Sequence, residues 1–423
     1  MLLGRFLIGA MVMAGVAVRV QGGKTVDANS TQANEAVIQA ATANNRFGFD
    51  LLTRLRQQGG NLFFSSYSIS TAMALTYTGA RGQTADQMAR VLHWCDGNGR
   101  TGAWSPAVLA RSLGAAIADQ NRRGVQGNYE LVVANALWGH KDFTFQAEFL
   151  RTNETHYGGR LHSVDFAGDP ESARATINTW VEEQTRKRIQ DLIPQGVLDE
   201  MTRLVLTNAI YFKGDWVRPF AKEGTLNAPF KLGSNRTVDA PMMNQTGPFN
   251  YTEVPDLQVL EMPYKGDELS MVILLPRDAD GLAKVEQGLT CDALAAWLDQ
   301  VRSHEVVVTI PRFKLSGQLS LAETLRSMGM TDAFSSGADF SGMTGRRDLF
   351  ISAVVHKAFV AVDEKGTEAA AATGVVMRLT SVGPRVQPVI FRADHPFMFL
   401  IRDRVSGTIL FIGRLADAGQ QNG

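Results

Sequence analysis

The sequence predicts an α+β fold built as one large domain. Helical patterns come first along the chain and strand patterns dominate the remainder, an order that favours this class. No linker and no repeat of fixed period divides the chain after residue 35. Hydrophobic residues make up 45% of the 423 residues, so the chain carries enough apolar material for a large core.

Four segments predict helices. Residues 34–57 and 172–189 carry apolar residues at helical spacing. Residues 68–78 are small and apolar, which indicates a buried helix. Residues 84–92 predict a further helix with Thr84 or Gln83 near its start.

Strand patterns follow, and the most informative of them is apolar along its whole length. An unbroken apolar run of this kind favours a central strand that is buried on both faces, and it occupies residues 203–212. The complete set of predicted strands is 129–138, 203–212, 259–264, 269–275, 306–313, 354–362, 397–402 and 408–415.

The N-terminus has the layout of a secretory signal. Arg5 precedes the mostly apolar residues 6–18, and the small residues Gly15 and Ala17 fit a cleavage pattern. We therefore expect a secreted or periplasmic protein, the alternative being a short N-terminal helix of the mature fold. The chain then divides into a signal peptide (1–22), a polar segment (23–38) and a single domain (39–418).

Composition excludes several function classes. Lys+Arg and Asp+Glu number 42 each, so the zero net charge gives no reason to expect nucleic acid or a membrane surface as a partner. Cys95 and Cys291 cannot build a disulfide framework and are interpreted as free, buried small hydrophobes, although their pairing stays open. Neither a metal nor another cofactor is expected, because no ligand spacing occurs. The sequons at Asn29, Asn153, Asn235, Asn244 and Asn250 matter only in a host that glycosylates.

No motif of a common enzyme class is present. The chain lacks the GxSxG, HExxH and phosphate-loop patterns, and its seven histidines are dispersed. His356 lies in a strand pattern and is interpreted as a hydrogen-bonded core histidine. The cationic run 186–188 is interpreted as favourable charge at a helix C-terminus. The chain is therefore not expected to be an enzyme.

Residues 363–373 read Asp-Glu-Lys-Gly-Thr-Glu-Ala-Ala-Ala-Ala-Thr and follow a strand pattern. A helix in this segment would be short and marginal. As a strand, the segment would place small, uncharged residues on one face, and Gly366 would permit a sharp change of direction at its start. The residues on that face are Thr367, Ala369, Ala371 and Thr373. The pattern favours a loop that can become a strand.

Residues 355–373 resemble the hinge of the serpins, the serine-protease inhibitors. Further matches to the family run in the same order along the chain, at residues 64–70, 177–181, 206–216, 242–245, 338–343 and 394–397. The resemblance implies three β-sheets, about nine helices and an exposed reactive loop, with hinge and loop over residues 363–390. The implied hinge residues are Glu364, Gly366, Thr367, Ala369, Ala370, Ala371 and Ala372.

The resemblance also implies how such a protein acts. A monomeric inhibitor presents its loop as a substrate, the protease forms an acyl-enzyme, and the cut loop inserts as a new strand before deacylation. The residues implied in sheet opening are Ser65, Ser68, Asn208 and His356 beneath the sheet, and Trp216 where insertion begins. The alternative is a non-inhibitory serpin that acts as a binding protein or chaperone.

In inhibitory serpins the scissile bond typically follows the seventeenth residue from the hinge glutamate. With Glu364 counted as the first residue, the resemblance implies a scissile bond at Thr380–Ser381. A small Thr before the bond points to an elastase-like or subtilisin-like target protease. Arg378 is the alternative and would suit a trypsin-like protease. Residues 381–396 are more numerous than is usual in the family, so the position of the bond stays open.

Overall fold

A computed structural model describes residues 28–96, 101–124, 129–233, 236–367 and 387–420. Within these residues, ten α-helices accompany three sheets. The helices are α1 (Ala28–Leu55), α2 (Ser66–Tyr77), α3 (Gly82–Val91), α4 (Pro106–Gly124), α5 (Ala147–Tyr157), α6 (Pro170–Gln184), α7 (Leu282–Gly288), α8 (Cys291–Leu298), α9 (Ala322–Ser327) and α10 (Ser341–Thr344).

Seventeen strands are present in the same residues, and the eight predicted strand segments account for only some of them. They are β1 (Leu62–Phe64), β2 (Cys95–Asp96), β3 (Thr101–Ala103), β4 (Tyr129–His140), β5 (Arg160–Val164), β6 (Leu204–Asp215), β7 (Leu226–Lys231), β8 (Thr237–Val254), β9 (Leu257–Pro263), β10 (Leu269–Pro276), β11 (Arg302–Pro311), β12 (Phe313–Ser320), β13 (Ala353–Val362), β14 (Gly366–Thr367), β15 (Val389–Arg392), β16 (Phe397–Asp403) and β17 (Ile409–Leu415). The α+β class predicted from the sequence is confirmed.

A six-stranded sheet holds the features that matter for function. Its strand order is β12-β13-β14-β6-β4-β5. β6 is buried along nearly its whole length, as its apolar sequence predicts. β13 and β6 pair in parallel, from Ala353 opposite Val205 to Phe359 opposite Tyr211. Beyond that point they diverge, and the two-residue strand β14 lies between them.

A nine-stranded sheet packs behind the six-stranded one. Its main path runs β1-β17-β16-β10-β9-β8-β11-β15, and β7 pairs with the first part of β8. The 18-residue β8 also pairs with β11 and β9, so it joins the two halves of this sheet. Ile210 and Phe212 of β6 share a core with Leu410 and Phe411 of β17.

Two helices cover the six-stranded sheet at its centre. All residues of α2 are buried, and Ser65 caps its N-terminus by accepting a hydrogen bond from the Ser68 N–H at 3.0 Å. On the other face, Ile177 and Val181 of α6 pack against the sheet. The centre of the sheet is therefore enclosed on both sides.

Several sequence-based boundaries were wrong. The helix predicted over 172–189 ends at Gln184, so the cationic run 186–188 lies beyond it in a turn where Arg186 and Lys187 have positive φ. α3 begins at Gly82, and Thr84 instead accepts a hydrogen bond from the Asp339 N–H at 2.9 Å.

Two further predicted boundaries differ from the observed ones. The strand predicted over 306–313 is two strands in different sheets, since β11 ends at Pro311 and β12 begins at Phe313. The first helix begins at Ala28, before the predicted start at residue 34, so α1 includes part of the polar N-terminal segment 23–38.

Cys95 and Cys291 are not joined by a disulfide, and both are half-buried rather than fully buried. None of the helices in the described part of the chain is both long and apolar enough to cross a membrane. The same residues contain no group of acidic, histidine or cysteine side chains arranged to hold a metal ion.

Candidate functional site

The site lies where β13, β14 and β6 meet, and it begins with a tight turn at residues 363–366. The Asp363 N–H donates to the Gly366 carbonyl at 2.8 Å. The Asp363 carboxylate accepts from the Lys365 N–H at 2.9 Å and from the Gly366 N–H at 3.2 Å. This turn reverses the chain, so β14 runs antiparallel to β13.

The segment after β6 holds this turn through its carbonyl groups. The Trp216 N–H donates to the Lys365 carbonyl at 2.7 Å, and the Trp216 indole Nε1–H donates to the Asp363 carbonyl at 3.1 Å. The Phe220 N–H donates to the Glu364 carbonyl at 2.7 Å. Trp216 therefore lies beside the turn at the start of the hinge.

The Glu364 side chain is only 5% exposed. Its Oε1 accepts a hydrogen bond from the Thr225 hydroxyl at 2.8 Å and lies 3.5 Å from a guanidinium nitrogen of Arg312. A buried carboxylate is costly unless it is paired and hydrogen-bonded. These two partners compensate Glu364 and connect the hinge to the residue before β7 and to the residue between β11 and β12.

Gly366 and Thr367 already occupy a strand position between the two diverging strands. Gly366 lies opposite Asp215, and Thr367 lies opposite both Gly214 and Val362. A Cβ atom at position 366 would lie 2.0 Å from the Gly214 carbonyl oxygen, so only glycine fits there. Gly366 and Thr367 of the hinge are thus part of the sheet.

The Thr367 side chain is completely buried. Its hydroxyl lies 2.8 Å from the Tyr264 hydroxyl, so the two form a hydrogen bond. The other predicted residues of the loop, Ala369, Ala370, Ala371, Ala372, Arg378, Thr380 and Ser381, lie outside the described residues.

A polar row crosses the sheet at its buried centre. His356 of β13 lies opposite Asn208 of β6, which lies opposite Asn135 of β4. The His356 Nε2 accepts a hydrogen bond from the Ser65 N–H at 3.1 Å, and its Nδ1 is hydrogen-bonded to Asn208 Oδ1. Complete burial lowers the pKa of His356 from its ordinary 6.5 to about 3, so the ring is neutral.

The row is anchored on α2. The Asn208 amide donates to the Ser68 carbonyl at 2.8 Å and also contacts Asn135. The Ser65 hydroxyl donates to the Leu410 carbonyl at 2.6 Å, which connects the row to the second sheet. The structure thus brings together the four predicted residues Ser65, Ser68, Asn208 and His356.

Sequence reasoning missed two participants. Asn135 belongs to the row. The sequence could have indicated this, because Asn135 is a lone amide side chain within the otherwise apolar part of the strand pattern 129–138. Tyr264 belongs to the hinge, and no local pattern indicates this, because Tyr264 is remote from Thr367 in sequence. The site therefore has two parts, a seated hinge and a polar row farther along the same two strands.

Comparison with known proteins identifies this arrangement. A family model described as serpin (serine protease inhibitor) matches residues 42–418. The chain belongs to the serpin family. As a serpin it is an inhibitor of serine proteases and not an enzyme, which confirms the function predicted from the hinge.

Individual serpins are similar over most of their length. The leukocyte elastase inhibitor of Bos taurus is 46% identical over 388 residues, covering 89% of this chain and 99% of the relative. The leukocyte elastase inhibitor of Homo sapiens is 44% identical, with the same coverage. Human thyroxine-binding globulin has a similar structure, with a TM-score of 0.82 and 29% identity, covering 91% of this chain and 100% of that one.

Proposed function

We propose that this serpin is a monomeric, irreversible inhibitor of an elastase-like or subtilisin-like protease, and that its cut loop inserts between β13 and β6. The observation that carries the proposal is the position of Gly366 and Thr367, which already form β14 between those strands. Insertion then extends a strand that exists, instead of starting a new one. The names of the two leukocyte elastase inhibitors support the class of target.

The register of β14 gives the path of the remaining loop. Thr367 lies opposite Gly214 and Val362, and an antiparallel strand that continues in this register would place Thr373 opposite Asn208 and His356. The Thr373 side chain would point to the same face as that of Thr367, because side chains alternate along a strand. Its hydroxyl would therefore enter the polar row.

The same alternation explains the small residues of the hinge. Ala369 and Ala371 would lie beside the apolar β6 residues Phe212 and Ile210, which are fully buried. Little free space remains at a packed interior, so large side chains at these positions would create strain. Glu368 would point to the opposite face.

The length of the sheet favours Thr380–Ser381 as the scissile bond. In the register of β14, residue 377 would reach Leu204, the first residue of β6. Cleavage after Thr380 leaves residues 378–380, roughly 10 Å of extended chain, outside the sheet and in the protease cleft. Cleavage after Arg378 leaves only residue 378 outside the sheet. The last residues of the inserted strand could then not pair with β6 while they remain bound in the protease cleft.

The test is incubation with an elastase, subtilisin and trypsin, followed by denaturing electrophoresis and mass spectrometry of the released C-terminal peptide. We expect a covalent complex with elastase or subtilisin and a peptide that begins at Ser381. A peptide that begins at Leu379 together with a trypsin complex would establish the Arg378 alternative. Cleavage without a complex, and without a gain in thermal stability, would indicate the non-inhibitory binding protein.

We further propose that residues 1–22 are a secretory signal, that the protein works outside the cytoplasm, and that Asn153 carries no Asn-linked glycan. Support for the last point comes from Asn153 of the Asn-Glu-Thr sequon, which is 4% exposed and donates to the Leu75 carbonyl at 3.2 Å. A glycan on this amide would displace it from the core. N-terminal sequencing and the intact mass of the exported protein test these points.

A further inference from the structure

Tyr264 lies immediately after β9, at the junction between the two large sheets. Its side chain is completely buried, and its backbone forms an isolated bridge with Trp216. The Trp216 ring stacks on the Tyr264 ring with centroids 4.5 Å apart, and the Phe212 ring packs edge-on at 4.9 Å. Such aromatic contacts hold the phenol in one orientation.

The Tyr264 hydroxyl and the Thr367 hydroxyl meet in this aromatic enclosure. Among the described residues, each is the one hydrogen-bond partner recorded for the other, at 2.8 Å. Both side chains are completely buried. A buried hydroxyl without a partner costs about 1 to 3 kcal/mol. If the hinge left the sheet, the Tyr264 hydroxyl would lose its partner.

This bond also distinguishes one register from its neighbours. Because side chains alternate along a strand, a shift by one residue would turn Thr367 away from Tyr264. In one direction the shift would bring Gly366, which has no side chain, to this position, and in the other it would direct the Glu368 carboxylate into the apolar enclosure. A carboxylate there would be buried without a cation. Among these registers, only the observed one gives the Tyr264 hydroxyl the Thr367 hydroxyl as its hydrogen-bond partner.

We propose that Tyr264 is a positioning residue that pins the hinge at Thr367, so that the inserting strand is nucleated in a single register before the protease cuts the loop. The inference deepens the proposed function and rests on it. Tyr264 does not touch the protease or the scissile bond. It acts through the hinge, by favouring insertion over release of the cut inhibitor.

The first measurement is amide hydrogen exchange of the uncut protein over residues 366–367. Tyr264→Phe and Thr367→Val each remove one hydroxyl, and we expect each to accelerate exchange there about tenfold or more. Tyr211→Phe is the matched control, since Tyr211 lies on β6 and bonds Glu130 through its hydroxyl at 2.7 Å. The control should leave exchange at the hinge unchanged.

The second measurement is the stoichiometry of inhibition, the moles of inhibitor consumed per mole of protease. We expect each single variant to raise it several-fold, and the double variant Tyr264→Phe/Thr367→Val to raise it no further than the larger single effect. Unchanged exchange at the hinge, an unchanged stoichiometry, or single effects that multiply in the double variant would each overturn the proposal.

Failure of the proposed function would look different. A wild-type protein that forms no covalent complex with any protease contradicts the inhibitory function, whereas hinge exchange in the uncut protein still reports whether Tyr264 pins Thr367. Melting temperatures of all variants show whether the substitutions disturb the fold as a whole.

Discussion

His356 of β13 and Asn208 of β6 are paired residues of two parallel strands, and their side chains are hydrogen-bonded to each other across the interface that separates those strands. The same His356 ring accepts the Ser65 N–H from α2. One neutral imidazole thus connects both strands of the insertion site to the helix beneath them.

We expect acid to destabilise the protein through His356. Its folded pKa of about 3 is lower than its ordinary value of 6.5, so between these values the unfolded chain binds more protons. The stabilising contribution is complete above about pH 6.5 and is lost as pH falls toward 3, by up to about 1.4 kcal/mol per pH unit.

Urea unfolding between pH 4 and pH 8 checks this expectation against His356→Gln. The variant removes the titrating group, so its stability should fall less steeply with acid than that of the wild type. Parallel pH profiles for the two proteins would contradict it.

Replacing Thr367 by arginine should convert the inhibitor into a substrate. Thr367 is completely buried, and an unpaired charge there costs several kcal/mol. Insertion should slow, and the stoichiometry of inhibition should rise on the order of tenfold or more. Thr367→Ser keeps the hydroxyl near Tyr264 and should inhibit nearly as well as wild type. Equal stoichiometries for the arginine and serine variants would refute this account of the hinge.

Thr373→Val should lower the stability of the cut protein specifically. If the cut loop inserts in the register of β14, the Thr373 hydroxyl would join His356 and Asn208, and the methyl group of valine would give them no hydrogen-bond partner. We expect the cut form to lose about 1 to 3 kcal/mol of unfolding free energy. The uncut form serves as the internal reference, and Thr373→Ser as the control that retains the hydroxyl. Guanidinium unfolding of both forms measures the difference.

Glu286→Ala should destabilise the whole domain. Glu286 of α7 and Arg414 of β17 form a buried ion pair at 2.8 Å, with side chains 7% and 5% exposed. Removing one member leaves a buried charge without its counterion and costs roughly 3 kcal/mol. Lys284 on the same helix pairs with Asp256 at the surface, so Lys284→Ala should change stability little. Urea midpoints compare the two variants.

The features predicted well from the sequence are those with a local signal. The unbroken apolar run of β6 indicated a buried central strand, and Gly366 indicated the sharp change of direction before β14. These two features can be recognised in the sequence because each restricts which side chains fit. Burial on both faces of a sheet requires apolar residues, and the close approach of two backbones requires a small residue.

The remaining features depend on contacts between distant parts of the chain. Tyr264 and Thr367 are neighbours only because β9 and β14 belong to sheets that meet at Trp216. The bend at Arg312 that divides one apolar run between two sheets has a similar origin. A pattern of period two shows that a strand exists, but it does not show which sheet receives the strand.

The pairing of β13 with β6 has a further consequence for the energy of the fold. These neighbours run parallel, and a parallel ladder is slightly weaker per residue than an antiparallel one. A strand entering between them in the direction of β14 would remove that one ladder and create two antiparallel ladders in its place. The connectivity of the chain therefore places a parallel ladder at the centre of the sheet, where a new strand would gain neighbours on both sides.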